Sequence, residues 1–286
     1  MNNLKTTFLL VLLTVILMMV GQAFGGRGGM TLMLFVSLGI NLVSYWYSDK
    51  IVLSMYKARQ ITREQAPDLF NIVAQLAASA ELPMPKVYVI DSDTPNAFAT
   101  GRSPQHAAVA VTTGIIRVLD KDELEAVLAH ELAHVKHHDT LIGTMVASIA
   151  GVITWISTMA QWAMIFGGRG GDREEGGGIL GSLFMIILAP IAATLVQLAI
   201  SRSREFEADY GAAKISGKPL ALADALRKIE QSARFGQLSQ TVSPATAHMF
   251  IINPLSGGNR AFASLFSTHP PTEQRVARLI DIAQKL

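Results

Sequence analysis

Four uncharged apolar stretches, at residues 6–24, 30–47, 140–166 and 179–201, constrain this chain more than anything else in it. Each is long enough to cross about 30 Å of hydrocarbon. The composition agrees: half of the 286 residues are hydrophobic, only 16% are charged, and the mean hydropathy is +0.35, too apolar for one water-soluble globule of that size. The first stretch, preceded by Lys5, has the outline of a signal peptide, but it is long for one and lacks a small-x-small cleavage site. With only Gly25, Gly26, Arg27, Gly28 and Gly29 before the second stretch, a helical hairpin is expected. The third and fourth are read as a second hairpin around the glycine-rich turn 167–178, the alternative being buried core helices.

Four crossings place the N-terminus, residues 48–139 and the tail from Arg202 on one side of the bilayer. Lys50, Lys57, Arg59 and Arg63 follow the second stretch, and Arg202 and Arg204 follow the fourth. On the other side stand Arg27, and Arg169 and Arg173 beside Asp172, Glu174 and Glu175. Lys and Arg near membrane ends favour the cytoplasm, so the polar segments are expected there.

Within those segments, residues 120–139 read as one helix, free of proline and glycine and joined directly to the third stretch at Thr140. Asp120 and Glu123 form a capping box at its start, and Leu124, Val127, Leu128 and Val135 supply an apolar face. On this helix lies His130-Glu131-Leu132-Ala133-His134. Residues four apart share a helix face, so the two imidazoles can converge on one cation, and zinc suits neutral imidazole. Glu131, about 100° further round, can reach a water on that ion and act as general base. A straight helix would set the site roughly 6–12 Å above the membrane boundary.

The chain has no cysteine, which leaves histidine and carboxylate as further ligands. His138 lies about 12 Å along the axis from His130, too far to share its ion, and His137 occupies a position where a metzincin needs glycine. Glu174 and Glu175 fall on the opposite side of the bilayer. Glu205, Glu207, Glu230, Glu273, His248 and His269 remain. A helix over 203–210 would set Glu205 and Asp209 on one face and Glu207 about 200° from Glu205; Glu205 could ligate while Asp209 accepts the outer N–H of a ligating histidine. An exposed charged helix is the alternative.

The remaining polar chain reads as an α+β core. Thr62 and Gln65 look like a capping box ahead of Asp68, Leu69, Phe70, Ile72, Val73, Leu76 and Ala80 at helical spacing. Strand-like runs at 86–91 and 107–113 flank residues 95–101. That loop is either a plain hairpin connection or a strand edge able to grip an extended peptide, with Asn96 a candidate substrate contact.

The His-Glu-Leu-Ala-His pentapeptide entering an apolar pair, Glu205-x-x-x-Asp209 after it, and Thr268-His269-Pro270-Pro271-Thr272-Glu273-Gln274-Arg275 near the end together resemble the HtpX family of membrane zinc metalloproteases, relatives of the CAAX prenyl proteases. The likeness extends over nearly the whole chain, including Pro95-Asn96-Ala97-Phe98-Ala99. It implies one zinc ion on His130, His134 and Glu205, Glu131 as base, a supporting role for Asp209, and substrate or transition-state contacts for His269 and Arg275. It implies a predominantly helical α+β integral membrane protein with four transmembrane helices and a cytoplasmic zincin-like (gluzincin) domain. The division follows: hairpin 1–48, first protease part 49–139, second hairpin 140–201, second protease part 202–286. The implied role is cleavage of damaged or misassembled membrane proteins in a bacterial inner membrane.

Two other classes compete with a peptidase. A zinc-stabilised scaffold would not need Glu131, which is present, and a metal transporter would carry ionisable residues within its spans, which have none. A net charge of +2 without a basic stripe argues against nucleic acid. Expected partners are protein substrates, mainly membrane proteins, and the lipid bilayer; the Met-rich, glycine-interrupted spans leave an oligomer open. His269 before two prolines can also simply end a segment ahead of a helix over 272–284.

Overall fold

The computed structural model describes residues 2–147, 202–235, 249–251 and 270–286. The fourth apolar stretch, the third beyond residue 147, the turn 167–178, Glu174, Glu175, His248 and His269 lie outside those residues.

The N-terminal segment α1 (Asn2–Met55) is two helices joined at a kink, where Gly25 has φ −135° and ψ 15° and Gly26 has φ 55° and ψ −145°. The Gly26 conformation is essentially closed to residues with a Cβ, which is why the reversal falls on glycine. The two arms meet: Asn41 Nδ2 donates to Leu10 O at 3.2 Å and to Thr14 Oγ1 at 2.9 Å. The two arms form a helical hairpin. Its second arm runs on to Met55, past the predicted end at residue 47. Among the described residues, 25–55 is the one helix long and apolar enough to cross a membrane; 10–19 is a shorter apolar helix. Phe8, Val11, Val15, Met19, Leu32, Phe35 and Leu42 point outward, exposed.

The end of α1 docks on a four-stranded sheet of β1 (Arg59–Gln60), β2 (Lys86–Ile90), β3 (Ala97–Thr100) and β4 (Ala108–Thr112), in the order β1-β2-β4-β3. Parallel pairing of β2 with β4 replaces a plain hairpin, and residues 91–107 make the excursion such a pair requires. On that excursion β3 adds antiparallel to the far side of β4, with Phe98 opposite Ala110. So the loop 95–101 is a sheet edge. Central β4 is buried on both faces, which its unbroken Ala-Val-Ala-Val run encodes. Phe98, Ala108, Ala110 and Ile90 pack with Val52 and Leu53 of α1; Ala97, Ala99, Val109 and Val111 face the main core.

That core is closed by helices. α2 (Pro67–Ser79) buries Leu69, Ile72, Val73 and Leu76; it starts at Pro67, and Thr62 to Gln65 forms a turn ahead of it in which Thr62 N donates to Gln65 Oε1. After the short α3 (Thr113–Val118), α4 (Lys121–Lys136) starts with the reciprocal Asp120–Glu123 capping box. α5 (Arg202–Ser216), α6 (Pro219–Phe235) and α7 (Thr272–Lys285) complete it, with Leu222, Leu226, Val276 and Leu279 inward.

One expectation fails here. α4 does not run on into the third apolar stretch: it ends at Lys136, and helix resumes only at residues 140–147. His138 takes φ 59°, and the chain turns by a Schellman motif in which Asp139 N donates to His134 O at 2.9 Å and His138 N to Val135 O at 3.1 Å. A straight-helix distance from the site to a membrane boundary therefore has no basis. Residues 140–147 are themselves largely buried, Ile142 and Ala147 completely.

Candidate metal centre

The site lies between α4 and α5, which pack extensively. Their approach depends on small residues: a Cβ at Gly211 would come within 2.8 Å of Ala133 Cβ, between the two histidines in sequence. Ala208 and Ala212 line the same face. That brings Glu205, 6% exposed, against the histidines, while Glu207 faces solvent. The helical prediction for this pair of carboxylates holds.

His130 Nε2 and His134 Nε2 stand 3.2 Å apart; Glu205 Oε1 lies 3.6 Å from His134 Nε2, and Glu205 Oε2 lies 3.8 Å from His130 Nε2. The donor atoms of this group are all within 4.8 Å of one another. A tetrahedral ion with bonds of ~2.0–2.1 Å needs donors about 3.3 Å apart, so the group fits zinc in chemistry and in spacing. The outer nitrogens are committed elsewhere. His130 Nδ1 is 3.0 Å from Asp209 Oδ1, and His134 Nδ1 is 3.4 Å from Asp139 Oδ2. A proton held on each Nδ1 leaves an Nε2 lone pair facing inward, and two such lone pairs 3.2 Å apart repel unless a cation or a proton lies between them.

The charges around the group are arranged for that. Burial alone would lower the His134 pKa, but its hydrogen bond to Asp139 and the charges of Glu205, Glu131 and Asp139 push it up to about 9. Burial alone would raise Asp209, yet Arg275 and His130 hold it at about 2. Arg275 is 1% exposed; burial works against its charge, but Asp209 above all, then Glu205 and Glu131, raises its pKa beyond the ordinary arginine value.

Glu131 is 7% exposed, and its Oε2 accepts the Ala99 N–H at 2.8 Å. In an antiparallel ladder successive residues turn their main-chain groups to opposite sides. Asn96 O accepts from Thr112 N on β4, so Ala97 and Ala99 turn theirs to the other side of β3, where no described strand lies. Glu131 is therefore held where an added strand would pair.

Asn96 and Arg275 do not face an open cleft in this structure. Asn96, 1% exposed, donates from Nδ2 to Met249 O and accepts from Ile251 N at 3.2 Å. Arg275 grips Asp209 through Nε at 2.9 Å and Nη2 at 2.6 Å, and donates from Nη1 to Ile251 O. The sequence reading missed Asp139. Its signal was faint: an aspartate five residues past a histidine points back only if the helix breaks between them.

A helix-borne histidine pair, a carboxylate from a second helix and a base fixed to a sheet edge are the working parts of a metal-dependent hydrolase of peptide bonds. Sequence comparison narrows the class: the profile of Peptidase family M48 matches residues 63–283, and the chain belongs to that family of metallopeptidases. Over its full length it is similar to proteins named Protease HtpX homolog. That of Desulfatibacillum aliphaticivorans is 53% identical over 97% of this chain and 89% of its own length; that of Thermococcus kodakarensis is 53% identical over 99% and 97%. That of Thermodesulfovibrio yellowstonii is 53% identical over the whole of both chains. Among solved structures the fold is similar to that of S. mikatae Ste24p, with a TM-score of 0.50 at 20% identity, over 93% of this chain and 62% of that one. This chain thus spans less than two thirds of Ste24p, and the likeness concerns the fold.

Proposed function

We propose that this chain is a membrane-anchored zinc endopeptidase, with zinc held by His130, His134 and Glu205 and with Glu131 as the general base. The observation that carries the proposal is the joint placement of three donors at zinc spacing and of Glu131 on the side of β3 away from β4. When bound, zinc supplies Lewis acidity that polarises a carbonyl and lowers the pKa of water toward 7. The substrate pairs as an added strand along Ala97 and the Ala99 carbonyl, beside the Ala99 N–H that Glu131 holds, which fixes the scissile bond over α4. Glu131 takes a proton from the attacking water as its oxygen bonds to the carbonyl carbon. As the C–N bond breaks, Glu131 hands that proton to the leaving amine. Asp209, gripped by Arg275, keeps His130 oriented, and Asn96 ties the start of β3 to residues 249–251. His269 is assigned the oxyanion contact on the resemblance alone.

The apolar hairpin, its outward aromatic and aliphatic residues and the HtpX-type relatives support a bilayer location. We extend it to four crossings with the site on the cytoplasmic side of a bacterial inner membrane, on the strength of the Lys50, Lys57, Arg59, Arg63, Arg202 and Arg204 bias. Substrates are then damaged or misassembled membrane proteins, cut in cytoplasmic loops or tails. The test is Glu131→Gln in the purified full-length protein. Proteolysis should fall about 10²–10⁴-fold with zinc still bound, since the base is not a ligand. Retained proteolysis would sink the mechanism, and cleavage products mapping mainly to periplasmic loops would sink the orientation.

A further inference from the structure

Each histidine of the proposed metal centre is backed by a carboxylate, and each carboxylate by a guanidinium. Behind His130 stands Asp209 with Arg275, as described. Behind His134 stands Asp139: Oδ2 is 3.4 Å from Nδ1, and Oδ1 is 3.4 Å from Arg204 Nη1. Both members of this second pair are mostly buried, with side chains 9% and 13% exposed.

The turn that delivers Asp139 is uphill. A left-handed conformation is costly for a residue that carries a Cβ, and glycine or asparagine is its usual occupant at a helix end. His138 adopts it here. Had α4 continued, residue 139 would sit about 140° round the helix from His134 and ~7.5 Å further along, out of reach of its ring. The break instead folds Asp139 back, its own N–H on the His134 carbonyl and its carboxylate beside the His134 imidazole. Arg204, which reaches the other oxygen, immediately precedes Glu205 on α5. One carboxylate thus touches the second histidine and the helix start that carries the third donor.

We propose that Asp139 is a positioning residue for the metal centre: it holds the His134 ring with Nε2 turned toward His130 and Glu205, and through Arg204 it sets the start of α5. The inference rests on the assignment of His130, His134 and Glu205 as the metal site.

The experiment is chelator competition for zinc on the purified full-length protein, with unfolding of the metal-free protein followed in parallel, for Asp139→Ala, Asp139→Asn and Arg204→Gln. Asp139→Ala should weaken zinc affinity about 10–100-fold, the range for loss of a carboxylate behind a ligating histidine. Asp139→Asn keeps an acceptor for the N–H and should lose less, as should Arg204→Gln, with the metal-free unfolding midpoint unchanged in both. Unaltered zinc affinity in both Asp139 variants overturns the proposal. So does an equal loss in Ala and Asn that follows a lowered metal-free midpoint, the mark of a merely structural turn. An unaltered protein that binds no zinc overturns the metal centre as well.

Discussion

The N-terminal hairpin and the α4–α5 pair both bury polar side chains between two helices, and they do it by opposite means. In the hairpin the contact is neutral and sparse, Asn41 on Leu10 and Thr14, while the large apolar side chains point outward. At the α4–α5 pair the buried groups are ionic and dense: Glu131, Glu205 and Asp209 of the pair, with Arg275 reaching in from α7, are all under 8% exposed, and each has a charged or main-chain partner. With the hairpin in the proposed bilayer, the difference follows the surroundings. Between helices wrapped in lipid there is no hydrophobic drive to associate, and a hydrogen-bonding amide supplies part of the attraction. Inside a protein core a lone charge is expensive, so charges come as networks or not at all.

If the α4–α5 charges serve a cation, the largest effect should come from removing a donor. Glu205→Gln should weaken zinc binding at least about 100-fold, more than loss of a supporting group would, and Glu207→Gln should leave it unchanged because that side chain faces solvent. Zinc affinity measured by chelator competition checks both, and equal affinities would show that the wrong carboxylate has been chosen. Of comparable size is the effect of removing the support itself. Arg275→Ala leaves Asp209 buried without its guanidinium partner, and destabilisation of about 3–5 kcal/mol is expected in reversible denaturant unfolding. A loss under about 1 kcal/mol would mean that water or a neighbour replaces the arginine and that the network is looser than its distances.

Which of these features the sequence announces is a matter of range. The capping box of α4, the paired histidines and the Glu205/Asp209 face are set by helix periodicity over a few residues, and all were legible. The parallel pairing of β2 with β4 was not, because a short apolar run carries no record of its partner. β3 was ambiguous for the same reason: Ala-Phe-Ala-Thr is both a loop sequence and a buried edge strand. Asp139 was hidden because His138, not glycine, takes the left-handed turn, and Arg275 reads as a substrate contact until α7 is seen to press it onto Asp209. Residues that act through a neighbour distant in sequence leave no local pattern.

Packing between α4 and α5 gives a smaller effect. Gly211→Ala would push its new methyl into Ala133, so the helices must part by a few tenths of an ångström or more. Overpacking of this kind costs typically 1–3 kcal/mol. The sharper readout is zinc affinity, which should drop with stability, since the shift moves Glu205 away from the histidines. Lower stability with unchanged affinity would show that the donors do not depend on helix spacing.

The smallest effect is expected in the hairpin, and it tests the comparison from the other side. Asn41→Leu removes the two hydrogen bonds that Asn41 gives to the first arm, yet leaves a side chain of similar size in an apolar setting. Within lipid such an interhelical bond is worth about 0.6 kcal/mol on average and up to about 2. Unfolding in mixed micelles should therefore show a loss in that range, far below that of Arg275→Ala. Cleavage of a soluble, unfolded substrate should stay at the unaltered rate, because α1 meets the catalytic part through Trp46, Val52 and Leu53, all beyond Asn41 in sequence. A drop in that cleavage matching the drop produced at Gly211 would break the comparison: the hairpin would then share the site's cooperative core and would not be a separately held anchor.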